Sequence, residues 1–266
     1  MGRVRLAATV ILARPPFEVY LARRSRRSAF APNAFVFPGG TIEPQDESDS
    51  AKRRTLGLEA ARLQREFRAD VLSELPSSES PVEVDTAAAL LVAALRELFE
   101  EAGVMLARGP AQERLDTAAL DWNQIAVERL ALRSGEMNFP EFLESHDWYG
   151  DARELTLFSH WITPPSEPRR YNTHFFFAVA PGDQAALADA FETHDGIWIA
   201  PSEALARYER GEMHLVYPTI KHLERLRGFT SVEDAHAFAR SKPVITIMPN
   251  ETADNFVIPP ALEGAW

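Results

Sequence analysis

Three glutamates and one arginine form a charged cluster with helical spacing. Glu97, Glu100 and Glu101 recur three and four positions apart, and Arg96 precedes them. On a helix with 3.6 residues per turn, the three carboxylates share an arc of about 100°. Like charges this close repel one another unless a cation lies between them, and carboxylate oxygens suit Mg²⁺ or Mn²⁺. The spacing indicates a divalent-metal site, but the solvated face of an amphipathic helix would show the same pattern.

The helix that carries these glutamates is predicted over residues 86–102. Asp85 offers an N-cap before it, and Gly103 can end it in the left-handed conformation. Apolar residues at positions 91, 95, 98 and 102 fall within about 60° of one another and predict a buried stripe. The helix is therefore expected to pack on a core, with the three carboxylates on an arc beside the buried stripe.

The segment RELFEEAGV, residues 96–104, resembles the second half of the Nudix box, REUxEExGU, in which U is a bulky aliphatic residue. Five fixed positions and two aliphatic positions agree. At average residue usage, a chance match in a chain of this length is on the order of one in 10⁴ to 10⁵. The resemblance therefore favours a metal site over a solvated acidic face.

The first half of the box is present but stands far from the second half. Gly40 opens it after the tripeptide FPG, and Asp46 occupies the position where the family has glutamate. The spacer to Arg96 has forty-nine residues, 47–95, where the family has seven. Because closure entropy grows slowly with loop length, the two halves can still meet. An interrupted box resembles the coenzyme A diphosphatase-like branch of the family, as do the segments ATVIL, WITP, PRRYNTHFF and IWIAPSEAL.

The resemblance implies a fold and a metal site. The expected fold is α/β, a Nudix-type α/β/α sandwich around a mixed sheet with helical insertions. Carried over position by position, the Gly40 carbonyl, Glu97, Glu100 and Glu101 would coordinate Mg²⁺ or Mn²⁺, and Arg96 would brace the glutamates by ion pairing. Such cations suit a diphosphate substrate, because they neutralise its oxygens and orient a water for in-line attack.

A carboxylate near the attacking water can accept its proton. Glu101 is the first candidate for this general base, and Glu97 is the second. Some members of the family use a glutamate from a distant loop, so Glu192 or Asp195 is the alternative.

Arginines outside the box are candidates for substrate binding. Arg23 and Arg24 lie between a predicted strand and the glycine turn, and their guanidinium groups suit phosphate oxygens. Arg169 and Arg170, followed by Tyr171, resemble a substrate-facing group in the related branch, where a ring and a guanidinium could hold adenine and phosphate. Surface or structural roles explain the same residues equally well.

The resemblance implies a diphosphatase acting on a nucleoside diphosphate linked to another moiety, with coenzyme A or acyl-coenzyme A as the first choice. One alternative is a pyrophosphatase of ADP-ribose or nucleotide sugars. Another is a non-catalytic Nudix-fold sensor of nucleotides, which Asp46 in place of glutamate keeps open. No Walker loop, GxGxxG fingerprint or GxSxG elbow is present, which disfavours the corresponding kinases, dehydrogenases and serine hydrolases.

Composition restricts the partners. The chain has 28 basic and 39 acidic residues, a net charge of -11, which disfavours broad binding of nucleic acid or of anionic membranes. Cysteine is absent, so disulfides, thiolate metal sites and cysteine nucleophiles are excluded. No apolar run has the 18 residues needed to cross a bilayer. A cytoplasmic protein with a small-molecule substrate is expected, and a homodimer is left open.

The periodicity predicts one domain over residues 1–266. Strands are expected near residues 4–12, 17–22, 34–37, 154–163, 173–180, 196–200 and 244–248. Two helical segments are expected beside the sheet: an insertion at about 47–84, with a helix near 50–75, and a stretch at about 111–147 with breaks at Gly135 and Pro140. Shorter helices are expected at 201–211, 218–227 and 231–240.

Overall fold

Strands and helices occupy most of the ranges that the computed structural model describes, residues 4–26, 31–67, 82–184, 193–252, 256–264 and 266. The strands are β1 (Arg5–Arg14), β2 (Glu18–Arg24), β3 (Phe35–Val36), β4 (Gly39–Thr41), β5 (Thr55–Leu56), β6 (Ala107–Arg108), β7 (Tyr149–Asp151), β8 (Thr156–Ile162), β9 (Tyr171–Val179), β10 (Thr193–Ile199), β11 (Thr246–Ile247), β12 (Asn250–Glu251) and β13 (Phe256–Val257). The helices are α1 (Asp49–Arg53), α2 (Ala60–Glu66), α3 (Val84–Ala102), α4 (Trp122–Ser134), α5 (Phe139–Ser145), α6 (Pro201–Glu209), α7 (Tyr217–Leu226) and α8 (Val232–Ser241).

The main sheet is mixed. Its strands follow the order β10-β2-β1-β9-β8-β11, with β3 paired to β2 and β4 paired to β1. The central pair, β1 and β9, is parallel over nine residue pairs, whereas β2 and β4 both run antiparallel to β1. Strand β1 pairs with β4 through its first half and with β2 at its end. This division leaves an opening near the glycine turn, where side chains from several strands converge.

Both faces of the main sheet are buried, which makes the fold a sandwich. Side chains alternate between the faces of a strand. On β1, Val10 and Leu12 join the core that includes α3, while Ile11 and Ala13 join the core that includes α7 and α8. The α/β/α sandwich around a mixed sheet is therefore confirmed.

Helix α3 lies inside the first core. It begins at Val84, two residues before the predicted start, with Glu83 at the N-cap position in place of Asp85. It ends as predicted at Gly103, whose φ of 70° is left-handed. Apolar residues around most of its circumference are buried, because α2 and α4 pack on it as well as β1. The acidic residues of α3 are thus enclosed by neighbouring segments.

The insertion and the later helical segment surround α3 together. Strand β5 from the insertion pairs with β7, and β7 also pairs with β6, which forms a small three-stranded sheet. In the described part of the insertion, α1 and α2 are separated by β5, so the single helix expected from residue 50 is interrupted. Residues 68–81 of the insertion lie outside the described ranges. In the later segment, Gly135 ends α4 as predicted, but Pro140 lies in the first turn of α5, where its missing N–H is tolerated.

Over the described ranges, no helix is both long enough and apolar enough to cross a lipid bilayer.

Candidate functional site

The two halves of the interrupted box contact each other. The Gly39 amide, at the start of β4, donates a hydrogen bond of 2.9 Å to Oε2 of Glu101 on α3. A Cβ atom built on Gly40 would lie 2.2 Å from Oε1 of Glu97, closer than any side chain could approach. A side chain at position 40 would displace the Glu97 carboxylate from its bond with Arg96, so glycine suits the close approach of the turn to the helix. The forty-nine intervening residues leave this docking intact.

Arg96 joins the turn to the helix through a buried ion pair. Its Nε and Nη2 donate to the two carboxylate oxygens of Asp46 at 2.9 and 3.0 Å, and Nη2 also donates to the Thr41 carbonyl at 3.1 Å. Its Nη1 donates to Glu97 at 2.8 Å and lies 3.5 Å from Glu100. Arg96 and Asp46 are only 1% and 0% exposed. A guanidinium with this many partners fixes the positions of the carboxylates around it.

Burial changes the protonation of the carboxylates. It raises the pKa of Glu97 to about 7, with a further contribution from the charge of Glu100 and an opposing one from Arg96. Burial also raises the pKa of Glu100 and of Asp46. For Arg96, burial acts to lower the pKa, but Glu97 and Asp46 together raise it, so the guanidinium stays charged. Burial thus makes the charged forms of these carboxylates costly, and a cation bound beside them would stabilise those charged forms.

The donor atoms of this cluster suit a hard divalent cation, although the carboxylates make other contacts in this structure. Glu97 is oriented to Arg96, and Glu101 accepts the hydrogen bond from Gly39. Within the ranges that the structure describes, no three carboxylate or imidazole groups are arranged as ligands of one ion. A cation bound by Glu97, Glu100 and Glu101 would replace these contacts, and the assignment of Gly40 and the three glutamates as ligands stays a prediction.

The cluster lies at one side of a cleft of about 490 Å³. The opposite parts of the wall come from β1, β9 and the start of α7, which bring threonine, tyrosine and phenylalanine side chains to the cleft. Its polar lining includes Arg5, Thr9, Arg24, Thr41, Glu43, Glu97, Glu100, Glu101, Arg133, Thr163, Tyr171, Thr173 and Thr219. Acidic and basic groups thus face the same space, as binding of a metal and a phosphate together requires.

The predicted substrate residues fall into two groups. Arg24 and Tyr171 line the cleft. Arg23 lies over the ring of Phe35, 5.8 Å from its centroid, and Arg170 donates from Nε to the Thr163 carbonyl at 3.0 Å. Arg169 is exposed at the surface. The structure therefore brings Arg24 and Tyr171 to the cleft, while Arg23, Arg169 and Arg170 lie outside its lining.

The alternative bases lie at the start of β10 and just before it. Glu192 lies outside the described residues, and Asp195 is described only as part of the backbone of β10.

Two arginines that line the cleft, Arg5 and Arg133, are not among the residues predicted from the sequence. Arg5, the first residue of β1, donates to Oγ1 of Thr41 at 3.0 Å. Arg133, near the end of α4, lines the cleft from outside the sandwich. Alternation along β1 places Arg5 on the same face as Thr9 and Ile11, the face from which α7 also lines the cleft. No signal in the sequence could place Arg133, because its position depends on how α4 packs on α3.

Comparisons with known proteins agree with this geometry. The family model of the NUDT19 Nudix domain matches residues 3–226. The acyl-coenzyme A diphosphatase NUDT19 of Xenopus laevis is 27% identical over 240 residues, which cover 84% of this chain and 63% of the relative. The Homo sapiens protein of the same name is 29% identical over 275 residues, covering 89% of this chain and 72% of that protein. A crystal structure of a Nudix hydrolase from Alicyclobacillus acidocaldarius superimposes with a TM-score of 0.67 at 26% identity, covering 89% of this chain and 97% of that one.

Proposed function

The chain belongs to the NUDT19 Nudix domain family, and on that premise we propose that it is a divalent-metal-dependent hydrolase of diphosphate bonds. Its substrate is a nucleoside diphosphate linked to another moiety. The observation that carries the proposal is the docking of the glycine turn on the glutamate helix, with Gly39 bonded to Glu101 at 2.9 Å beside the cleft. A scaffold without chemistry would not need the buried carboxylates of Asp46, Glu97 and Glu101 at that point.

Coenzyme A and its acyl thioesters are the substrates that we place first. The support is the name acyl-coenzyme A diphosphatase, which the Xenopus laevis and Homo sapiens relatives carry. This chain spans 63% of the length of the Xenopus laevis relative. Acyl-coenzyme A is therefore a proposed substrate of this chain. Cleavage would yield 3',5'-ADP and a 4'-phosphopantetheine derivative.

The glutamates of α3 and the glycine turn would hold Mg²⁺ or Mn²⁺ through Glu97, Glu100, Glu101 and the Gly40 carbonyl. When bound, such a cation neutralises the diphosphate oxygens and makes a neighbouring water easier to deprotonate. Arg96 keeps the carboxylates in place, because its guanidinium is anchored to Asp46 on the turn side and to Glu97 on the helix side.

We assign the acceptor of the water's proton to Glu101, which the Gly39 amide holds at the turn. Glu97 is the second candidate, because it lies one turn before Glu101 on α3 and also lines the cleft. Arg24 and Tyr171 on the cleft wall would bind the nucleotide, Arg24 through phosphate oxygens and Tyr171 by stacking its ring on the base.

A substrate screen tests the proposal. The chain is incubated with Mg²⁺ or Mn²⁺ and with coenzyme A, acyl-coenzyme A, ADP-ribose, NADH or dinucleoside polyphosphates, and product masses locate the cleaved bond. We expect 3',5'-ADP from coenzyme A and its thioesters, and no product in excess chelator. Cleavage of ADP-ribose with coenzyme A left intact would disprove the substrate assignment. Binding of nucleotides without any cleavage would instead establish a sensor.

A further inference from the structure

Helix α4 is attached directly to the helix of the box. Asp121 caps its first turn, and Gly135 ends it with a φ of 76°. Between them, Nε of Arg129 donates to the backbone carbonyl of Glu100 at 2.9 Å. A charge-assisted bond to a carbonyl near the C-terminal end of α3 is favourable, because the helix dipole places negative potential there. The position of α4 is therefore linked to the glutamates.

The following helix, α5, is attached to the other half of the box. Its first residue, Phe139, donates its amide to Oε1 of Gln45 at 2.8 Å. The ring of Phe142 stacks on Phe99 of α3, with centroids 4.8 Å apart. The segment from α4 to α5 thus contacts both the turn and the helix, and its Arg133 lines the cleft.

Arg133 is the side chain that α4 brings to this cleft. It lies one turn after Arg129, so both residues point to the same side of the helix, toward α3. The side chain is half-buried. The other cleft cations have different positions: Arg5 is bonded to Thr41 beside the glycine turn, and Arg24 lies on β2. Arg133 therefore adds positive charge to a part of the wall that does not belong to the sheet or to the box.

We propose that Arg133 binds a phosphate group of the substrate that lies outside the scissile diphosphate. The inference rests on the proposed function and narrows its substrate class to nucleoside diphosphate conjugates that carry an additional phosphate monoester, as coenzyme A does on its ribose. The diphosphate itself belongs beside the glycine turn, where the glutamates and Arg5 lie. A monoester carries up to two negative charges near neutral pH, so it needs a cation of its own, and the guanidinium fork matches its oxygens.

The first test measures binding of the nucleotide product without turnover. Titration calorimetry compares adenosine 3',5'-bisphosphate with AMP, which lacks only the 3'-phosphate. We expect the wild-type chain to bind the bisphosphate more tightly, and Arg133→Gln to reduce that preference about 10- to 100-fold, as the loss of a charge-assisted contact does. Arg133→Lys keeps the charge but not the fork, so it should lose only part of the preference. Arg207→Gln, on the exposed surface of α6, is the matched control and should keep it.

The second test measures turnover with coenzyme A and 3'-dephospho-coenzyme A. We expect Arg133→Gln to lower the ratio of kcat/KM between the two substrates, mainly through the KM of coenzyme A. An equal loss for both substrates, or an equal loss of affinity for both nucleotides, would overturn the proposal, since a purely structural role predicts that result. A preference that falls in Arg5→Gln or Arg24→Gln instead would place the phosphate on the sheet side. If coenzyme A is not cleaved at all, the proposed function fails, and the nucleotide titration still decides the role of Arg133.

Discussion

Asp46 forms an ion pair with Arg96 from a position where the box normally has the longer glutamate. Both of its oxygens accept bonds from Arg96, and one of them also accepts the Glu43 amide at 2.8 Å. The loop between Glu43 and Asp46 turns tightly enough to bring the shorter side chain within reach. The substitution therefore preserves the ion pair that braces the glutamates, and it gives no reason to expect a chain without catalytic activity.

Removing the charge of Asp46 should destabilise the fold. Asp46→Asn keeps the shape of the side chain but deprives the buried Arg96 of its bidentate partner, and breaking a buried pair costs about 3 kcal/mol or more. We expect the free energy of unfolding, measured with denaturant, to fall by about that amount. Glu203→Gln removes half of an exposed pair with Arg207 and should leave stability nearly unchanged. Equal unfolding midpoints for wild type and Asp46→Asn would show that the pair contributes nothing.

Replacing Glu100 or Glu101 by glutamine should lower the catalytic activity and leave the stability of the fold unchanged. Glu100→Gln and Glu101→Gln are expected to lower kcat by at least about 100-fold, because an electrostatic group at the reacting centre is lost. Their melting temperatures should stay close to that of the wild type, since both positions lie off the apolar stripe and burial already disfavours the charge of Glu100. Steady-state kinetics with Mg²⁺ and thermal melting test this together. Loss of the folded state, or kcat at the wild-type level, would contradict it.

Among the secondary-structure elements, the sequence predicts helix α3 but not the short strands β5, β6 and β7. The helix has a regular apolar period and a glycine stop, and both follow from local geometry. Strands β5, β6 and β7 have two or three residues each, too few for a period of two to be visible. They exist because the backbone groups of Thr55, Gly150 and Ala107 meet in the tertiary structure. Periodicity therefore predicts long elements, and contacts between distant segments create the short ones.

The residues of the candidate site also divide into those that a local sequence pattern predicts and those that only tertiary contacts position. Gly40, Arg96 and the glutamates could be predicted because their spacing within a known motif is specific. Arg133 could not, since no local pattern determines which face of α4 meets the cleft. Burial of Glu97 and Glu101 also escaped prediction: a face of three carboxylates suggests solvent, but the turn packs against these two side chains.

The contact between α7 and the sheet gives the fold a pH dependence. His222 on α7 is fully buried, its Nδ1 donates to the Pro218 carbonyl at 2.6 Å, and its Nε2 therefore accepts the bond of 2.6 Å from Ser159 on β8. The bond that Nε2 accepts needs the neutral ring, and burial lowers the pKa of His222 to about 3. The unfolded chain binds this proton near pH 6.5, so the stabilisation is complete above that pH and is lost as the pH falls toward 3.

The expected loss from His222 is about 2 kcal/mol between pH 8 and pH 5. Denaturant unfolding of wild type and His222→Gln across this range measures it, because the difference between the two curves isolates the imidazole. The curves should converge as the pH falls. The same measurement on His214→Gln, at an exposed histidine, is the control. Parallel curves for wild type and His222→Gln would show that the ring binds its proton equally in the folded and unfolded states.

The described ends of the insertion lie close together at the start of α3. Lys52 of α1 lies 2.7 Å from Asp85 in the first turn of α3, so the described ends of the insertion are brought together. This pair is exposed and weak, but β5 adds backbone pairing to β7. The glutamates of α3 are thus connected to the main sheet through the turn and to the insertion through their own helix.

Divalent cations should stabilise the folded chain, because they bind the carboxylate cluster only when the turn and α3 are docked. At a Mg²⁺ concentration 100 times the dissociation constant, the gain is about 2.7 kcal/mol, which corresponds to a rise in melting temperature of about 5 to 10 °C for a chain of this size. Since the chain carries a net charge of -11, general screening also changes its stability, and NaCl at matched ionic strength is the control. Glu97→Gln should reduce this rise in melting temperature, because the variant removes one carboxylate ligand of the cation. The buried charge of Glu97, which burial disfavours and a bound cation would stabilise, is then absent as well. An equal rise in NaCl, or in the variant, would show that the cluster is not where the cation binds.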